Sequence, residues 1–209
     1  MNKLLIVKII SFLVVAVGVM VVVGWIFDIG ILKSISPNMV TMKVTTALCF
    51  IANGIVLYSA TQKGKESSFV VQAILPAVIL LILLLMVTLF ISSVFGFNTG
   101  LDSFFIQEKA GAVNTVIPGR PSIPTMINFI VIALAGIATL SGFKKSLARP
   151  GSVILLIGGI AVLGYIFNLP ILYYSIAGIN TAMALNTAIL FILIGIGFIL
   201  CGKTALKQN

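Results

Sequence analysis

Apolar runs of membrane-spanning length alternate with short polar breaks along the whole chain. They cover about Leu4 to Phe27, Val44 to Thr61, Phe69 to Phe95, Thr125 to Phe143, Ser152 to Leu169 and Ala182 to Leu200. A helix of roughly 18–25 such residues crosses a ~30 Å hydrocarbon slab. The pattern predicts an all-α polytopic membrane protein with six transmembrane helices. Lys3 and Lys8 precede the first run, as in a signal peptide. That run exceeds the usual ~7–15-residue apolar core, and no Ala-x-Ala-like cleavage site follows, so it reads as a retained first helix. Pro76 falls inside the third run and is expected to kink or loosen it.

The polar breaks carry a pattern of their own. Trp25-Ile26-Phe27-Asp28-Ile29-Gly30 returns seventy residues later as Phe95-Gly96-Phe97-Asn98-Thr99-Gly100, and seventy after that as Tyr165-Ile166-Phe167-Asn168-Leu169-Pro170. Each copy leads into a Thr-x-x-x-Phe motif: Thr46/Phe50, Thr125/Phe129 and Thr187/Phe191. Each begins where one apolar run ends and finishes where the next begins. The unit is therefore a helix hairpin, and residues 1–209 form a single transmembrane domain of three units, at about 4–61, 69–143 and 152–201. The one long connection, 97–123, holds Asp102, Glu108, Lys109 and Arg120, and connections of that length are commonly functional.

Composition supports a membrane setting: 60% of residues are hydrophobic, 8% are charged, and the mean hydropathy is +1.27. Soluble domains carry about 25% charged residues. The net charge of +9 does not signal nucleic acid, because the cations are scattered at helix ends rather than gathered in a patch. Lys3, Lys8, Lys63, Lys65, Lys144, Lys145, Arg149, Lys203 and Lys207 fall on the side of the N-terminus, against Lys33, Lys43, Lys109 and Arg120 on the other. The positive-inside rule then puts both termini in the cytoplasm and all three patterned turns outside.

The absence of histidine removes the usual zinc and haem ligands and the commonest general base. No nucleophile–base pair or phosphate-cradling glycine loop stands out, so no enzymatic activity and no cofactor is expected. Cys49 and Cys201 read as free thiols packed as small hydrophobes. Two roles are open for Trp25, Asp28, Phe95, Asn98, Tyr165 and Asn168: an aromatic belt with turn-forming Asx residues, or three rims converging on one outward ligand pocket. Asp102 and Arg120 read as a surface pair or, alternatively, as ligand-facing charges. Thr46, Thr125 and Thr187 share a helix face with their phenylalanines and suit helix packing with Gly54, Gly136 and Gly195. Asn128 and Asn186 are expected to bond across helices. No ionisable residue lies deep in a span, which counts against ion-coupled transport.

Several segments resemble the multi-helix membrane sensor regions that precede PAS, histidine kinase or diguanylate cyclase modules in bacteria and archaea. Gly96-Phe97-Asn98-Thr99-Gly100-Leu101-Asp102 and Pro118-Gly119-Arg120-Pro121-Ser122-Ile123-Pro124-Thr125 are similar to that family's Gly-x-Asp and Gly-Arg-Met-Ser-Pro-x-Thr-Ala-x-x-Phe. Pro121 stands at the Met position, one extra residue separates Ser122 from Pro124, and Met126 replaces the Ala. Met42-Lys43-Val44-Thr45-Thr46-Ala47-Leu48-Cys49-Phe50 resembles Met-Lys-x-Asn-Thr-Ala-Leu-x-Phe. Thr181-Ala182-Met183-Ala184-Leu185-Asn186-Thr187-Ala188 resembles Thr-x-Met-Ala-x-His-Thr-Ala, with Asn186 at the His position. The family continues into a cytoplasmic output module, whereas this chain ends at Asn209. The resemblance implies a sensor in a prokaryotic plasma membrane that relays an outer-face or membrane-phase cue to a separate cytoplasmic signalling protein. Lys63-Gly64-Lys65-Glu66, Lys144-Lys145 and the C-terminal tail would form the contact. A small transporter or pore, a structural subunit of a membrane complex, and a homo-oligomer are the rival expectations.

Overall fold

The six apolar runs become helices that pair in chain order. The computed structural model describes residues 3–62, 74–109, 111–175 and 181–206. Its helices are α1 (Lys3–Ile26), a one-turn α2 (Gly30–Lys33), α3 (Val44–Ala60), α4 (Leu75–Phe95), α5 (Ile123–Leu140), α6 (Ala148–Ile166) and α7 (Leu185–Leu206). No strand occurs among the described residues. Among the described residues, five helices are long and apolar enough to cross a membrane: α1, α4, α5, α6 with the 3-10 turn before it, and α7. The expected second span, α3, has 17 residues and reaches only about 25 Å.

Some boundaries differ from the hydropathy reading. Helix α6 starts at Ala148 rather than Ser152, so Arg149, Pro150 and Gly151 form its first turn instead of a break. Proline is tolerated there because the first-turn N–H groups have no intrahelical acceptor. Helix α7 starts at Leu185, not Ala182, and runs on to Leu206. Pro76 stands in the first turn of the described α4, and the residues before Ile74, on which the expected kink depends, lie outside the described residues. The expected contact segment Lys63-Gly64-Lys65-Glu66 lies outside the described residues.

Helix α1 packs along α3, α4 along α5, and α6 along α7. Each outer helix also touches the inner helix of a neighbouring pair: α1 meets α7, α6 meets α5, and α4 meets α3. The result is a ring of three hairpins with α3, α5 and α7 inside. On the axis the rings of Phe50, Phe129 and Phe191 meet mutually, with centroids 5.0, 5.0 and 5.1 Å apart, and all three are fully buried. Tilted and edge-on contacts of this kind add about 0.5–1.5 kcal/mol per pair beyond area burial.

The first and third hairpins reach this packing through matching close approaches. A Cβ on Gly54 of α3 would lie 2.9 Å from the Ser11 carbonyl oxygen and would press on the Val15 side chain. A Cβ on Gly195 of α7 would lie 2.6 Å from the Gly151 carbonyl oxygen and 2.7 Å from Leu155. Ser11 and Val15 precede Gly151 and Leu155 by the same offset, so the backbones touch in the same register. In lipid, where apolar burial does not drive helices together, such small-residue contacts carry much of the association.

The two kinds of glycine should separate on substitution. Gly195→Ala is expected to destabilise the bundle by about 1–3 kcal/mol, because the new methyl meets backbone that cannot move aside. Gly159→Ala, which has nothing within 4 Å, should be neutral or mildly stabilising. Unfolding in mixed detergent micelles, followed by circular dichroism, measures both.

Candidate functional site

The three patterned turns lie at one end of the bundle, the cap, and two of them end their helices in the same way. After α1, the Ile29 N–H donates to the Gly24 carbonyl at 2.8 Å, with Asp28 left-handed at φ 53°. After α6, the Leu169 N–H donates to the Gly164 carbonyl at 2.8 Å, with Asn168 also at φ 53°. Asp and Asn are among the few non-glycine residues that accept this conformation, which explains the Asx at both places. Helix α4 uses Gly96 (φ 72°) instead. Asn98 is thereby released to accept from the Gly100 N–H at 3.2 Å.

The aromatic openings match in the same two corners. Trp25 Nε1 donates to the Met42 carbonyl and Tyr165 Oη to the Met183 carbonyl, both at 2.8 Å. Lys33 sits over the Trp25 ring, 4.8 Å from its centroid, while Tyr173 stacks on Tyr165 at 4.3 Å. Phe95 has no such bond to make and is 76% exposed.

Polar ties join each corner to the next and close a ring over the phenylalanine cluster. The first joins the α3 N-terminus to the long loop. Lys43 Nζ donates to both Glu108 oxygens at 2.6 and 2.7 Å, and Glu108 also accepts from Thr41 Oγ1 and the Gly119 N–H. The second joins the long loop to the last turn: the Ala182 N–H donates to the Asn114 carbonyl and the Val116 N–H to Thr181 Oγ1. The third returns to the first corner, with Asn186 Nδ2 donating to the Lys33 carbonyl at 3.2 Å. Inside the long loop, Arg120 holds Asp102 through two bonds, Nε at 2.9 Å and a terminal nitrogen at 2.7 Å. Gly119, at φ 77°, is pressed so close to the Asp102 carbonyl that no side chain would fit.

A cavity of about 410 Å³ opens where the long loop crosses the first corner. Trp25, Asp28, Lys33, Thr41, Glu108 and Lys109 supply its polar wall. Asp28 lies between Lys33 Nζ at 2.5 Å and Lys109 Nζ at 3.7 Å. The hydrogen bond and charge of Lys33 hold its carboxyl below the ordinary carboxylate range. Lys43, behind the wall, is drawn below the usual lysine range by burial, which the Glu108 charge opposes. The volume is that of a small-molecule site, and its mixed charges and indole face suit a polar or zwitterionic ligand.

Of the two roles open for the aromatic and Asx turn residues, the described cavities place only the first rim beside a polar pocket. Trp25 and Asp28 line the cavity, but Phe95 and Asn98 occupy a second corner, and Tyr165 and Asn168 a third. The inner helices stand between those corners. Asp102 and Arg120 do pair, but buried beneath the loop rather than on the surface. Thr46, Thr125 and Thr187 are buried one turn capward of the central rings, and Thr125 bonds the Ser122 hydroxyl at 2.7 Å. Asn186 makes its bond to another hairpin, whereas neither side-chain atom of buried Asn128 finds a partner. No motif in the sequence marks Lys33, Lys43 or Glu108 as members of this cavity wall and its tie. The available signal was charge balance: four basic and three acidic residues share the cap end, and all are paired.

Comparison with protein-family models, with curated proteins and with solved structures yields no match. The site's chemistry therefore rests on its own geometry. Removing one partner of a buried pair strands the other, so Arg120→Met should cost about 3–5 kcal/mol. Lys109→Met, at a side chain 93% exposed, should cost nothing measurable. Thermal unfolding of the two variants in detergent compares them directly.

Proposed function

We propose that this chain is an integral membrane module of three repeated hairpins making six spans. Both termini face the cytoplasm of a prokaryotic cell and the cap faces outward. Its function is sensory: a cue at the outer face or from the membrane phase shifts the cap, and the inner helices carry the shift to a separate cytoplasmic protein. The membrane assignment is supported by the outward faces of α1, α4 and α6, where Phe12, Leu81 and Leu156 are 73, 63 and 60% exposed. Soluble monomers rarely expose broad apolar patches. The orientation is supported by charge, with nine basic residues and one acidic residue on the side opposite the cap.

The observation that carries the sensory reading is a ligand-sized cavity that shares a residue with the ring of polar ties closing the cap. Glu108 belongs to both, lining the cavity while holding Lys43 at the start of α3. A ligand that draws on Glu108 therefore acts on an inner helix directly. Such a ligand shifts the bundle only as far as its affinity differs between two arrangements. The same geometry counts against conduction along the axis, which the three phenylalanine rings fill.

The test opens the tie without stranding a charge. In a Cys49→Ala/Cys201→Ala background, spin labels at Gln62 and Ser146 report distances at the basic end after reconstitution, and a label at the exposed Val113 reports cap mobility. Lys43→Met/Glu108→Met should free the cap and move the basic-end distance by on the order of 2–5 Å. A freed cap with an unchanged basic-end distance would refute the relay.

A further inference from the structure

A second cavity, of about 430 Å³, lies away from the cap pocket, along the seam between α3 and α4. Its wall is Leu48, Cys49 and Ala52 of α3, Ile74 and the α4 face from Ala77 to Leu85, and Phe105 from the long loop. We propose that this groove binds a single acyl chain of a membrane phospholipid.

Size and polarity select the occupant. Every lining residue is apolar or a buried thiol, and the mouth faces the hydrocarbon side, where Leu81 is 63% exposed. From Ile74 to Leu85 the groove runs about 16 Å along α4, so its mean cross-section is on the order of 25–30 Å². That is the width of one hydrocarbon chain. A partner helix, about 10–12 Å across, cannot enter it.

The groove also sits where the ring of hairpins is least closed. The related seam between α7 and α1 is tightly packed, whereas α3 and α4 touch sparsely. Cys49, Asn128 and Leu190 each precede a central phenylalanine, and all three are buried, but only Cys49 lines a described cavity. A chain in the groove completes the packing that protein side chains provide at the α7–α1 seam.

Its position connects it to the cap. Phe105 closes the capward end, and the next residues, Ile106 to Lys109, line the polar cavity and include Glu108. Seating or removing a chain beneath Phe105 therefore acts on the segment that holds Lys43. This gives the membrane-phase cue a structure, and in that respect it rests on the sensory reading. Occupancy of the groove can be measured without any signalling output.

The probe is a phosphatidylcholine with a diazirine midway along one acyl chain, reconstituted with the full chain in phosphatidylcholine vesicles and photolysed. Adducts are mapped by peptide mass spectrometry. Labelling should concentrate on Cys49, Ala52, Val78 and Ile82, roughly tenfold above the lipid-facing Leu156 and Leu163. Ala52→Trp, which fills the groove from a half-buried position, should remove that excess, and Leu156→Trp should leave it intact. Uniform labelling around the bundle, or an excess that survives Ala52→Trp in a protein with native circular dichroism, would overturn the proposal. Either result leaves the relay to its own spin-label test. Conversely, groove labelling with an unresponsive basic end would retain the lipid site and remove the relay.

Discussion

Phe50, Phe129 and Phe191 can meet on the axis only if three helices approach within a ring's width of one another, and much of the chain serves that approach. The outer helices brace the inner ones through backbone contacts at Gly54 and Gly195. The cap fixes where each inner helix begins, through Lys43 for α3, Ser122 for α5 and Asn186 for α7. Water outside the membrane offers polar groups an alternative to these ties, whereas hydrocarbon offers none. The cap is therefore the softer layer and the aromatic cluster the harder one.

Under the proposed sensory reading, that contrast makes the cap the layer that responds. A bundle closed on its axis has little to offer a solute crossing it, but a ring of hydrogen bonds and ion pairs with a cavity at one corner can be rearranged locally. The three hairpins are not equal in this respect. The first and third share their turn geometry, their aromatic-to-carbonyl bonds and their glycine contacts. The second departs from both, with a left-handed glycine in place of an Asx residue and a long loop that crosses to its neighbours. The cavity lies where the divergent hairpin reaches over the first.

Hydropathy alone located every long helix, because membrane-length apolar runs leave little choice of structure. The central cluster was also foreshadowed: Thr-x-x-x-Phe at one helix turn places both residues on one face, though spacing could not show that three such faces look inward at each other. Whether three aromatic rims share one pocket stayed open in the sequence for a related reason. A repeat fixes what recurs, and a ring arrangement sends recurring turns to separate corners. The ion pairs were hidden because their partners are far apart in the chain, Lys43 from Glu108 by 65 residues. Only the balance of charges at one end hinted at them. Asn128 remains without a physical account, as a buried amide with no partner.

The central claim, that three hairpins cross the membrane with all patterned turns on the outer side, is most directly tested by topology labelling. In a Cys49→Ala/Cys201→Ala background, single cysteines at Lys109, Asn98, Asn168 and Ser146 would be exposed to a membrane-impermeant maleimide in intact cells, then again after lysis. The account predicts that positions 98, 109 and 168 label in intact cells, while position 146 labels only after lysis. Labelling of positions 98 and 168 from opposite sides, or of position 146 from outside, would contradict it.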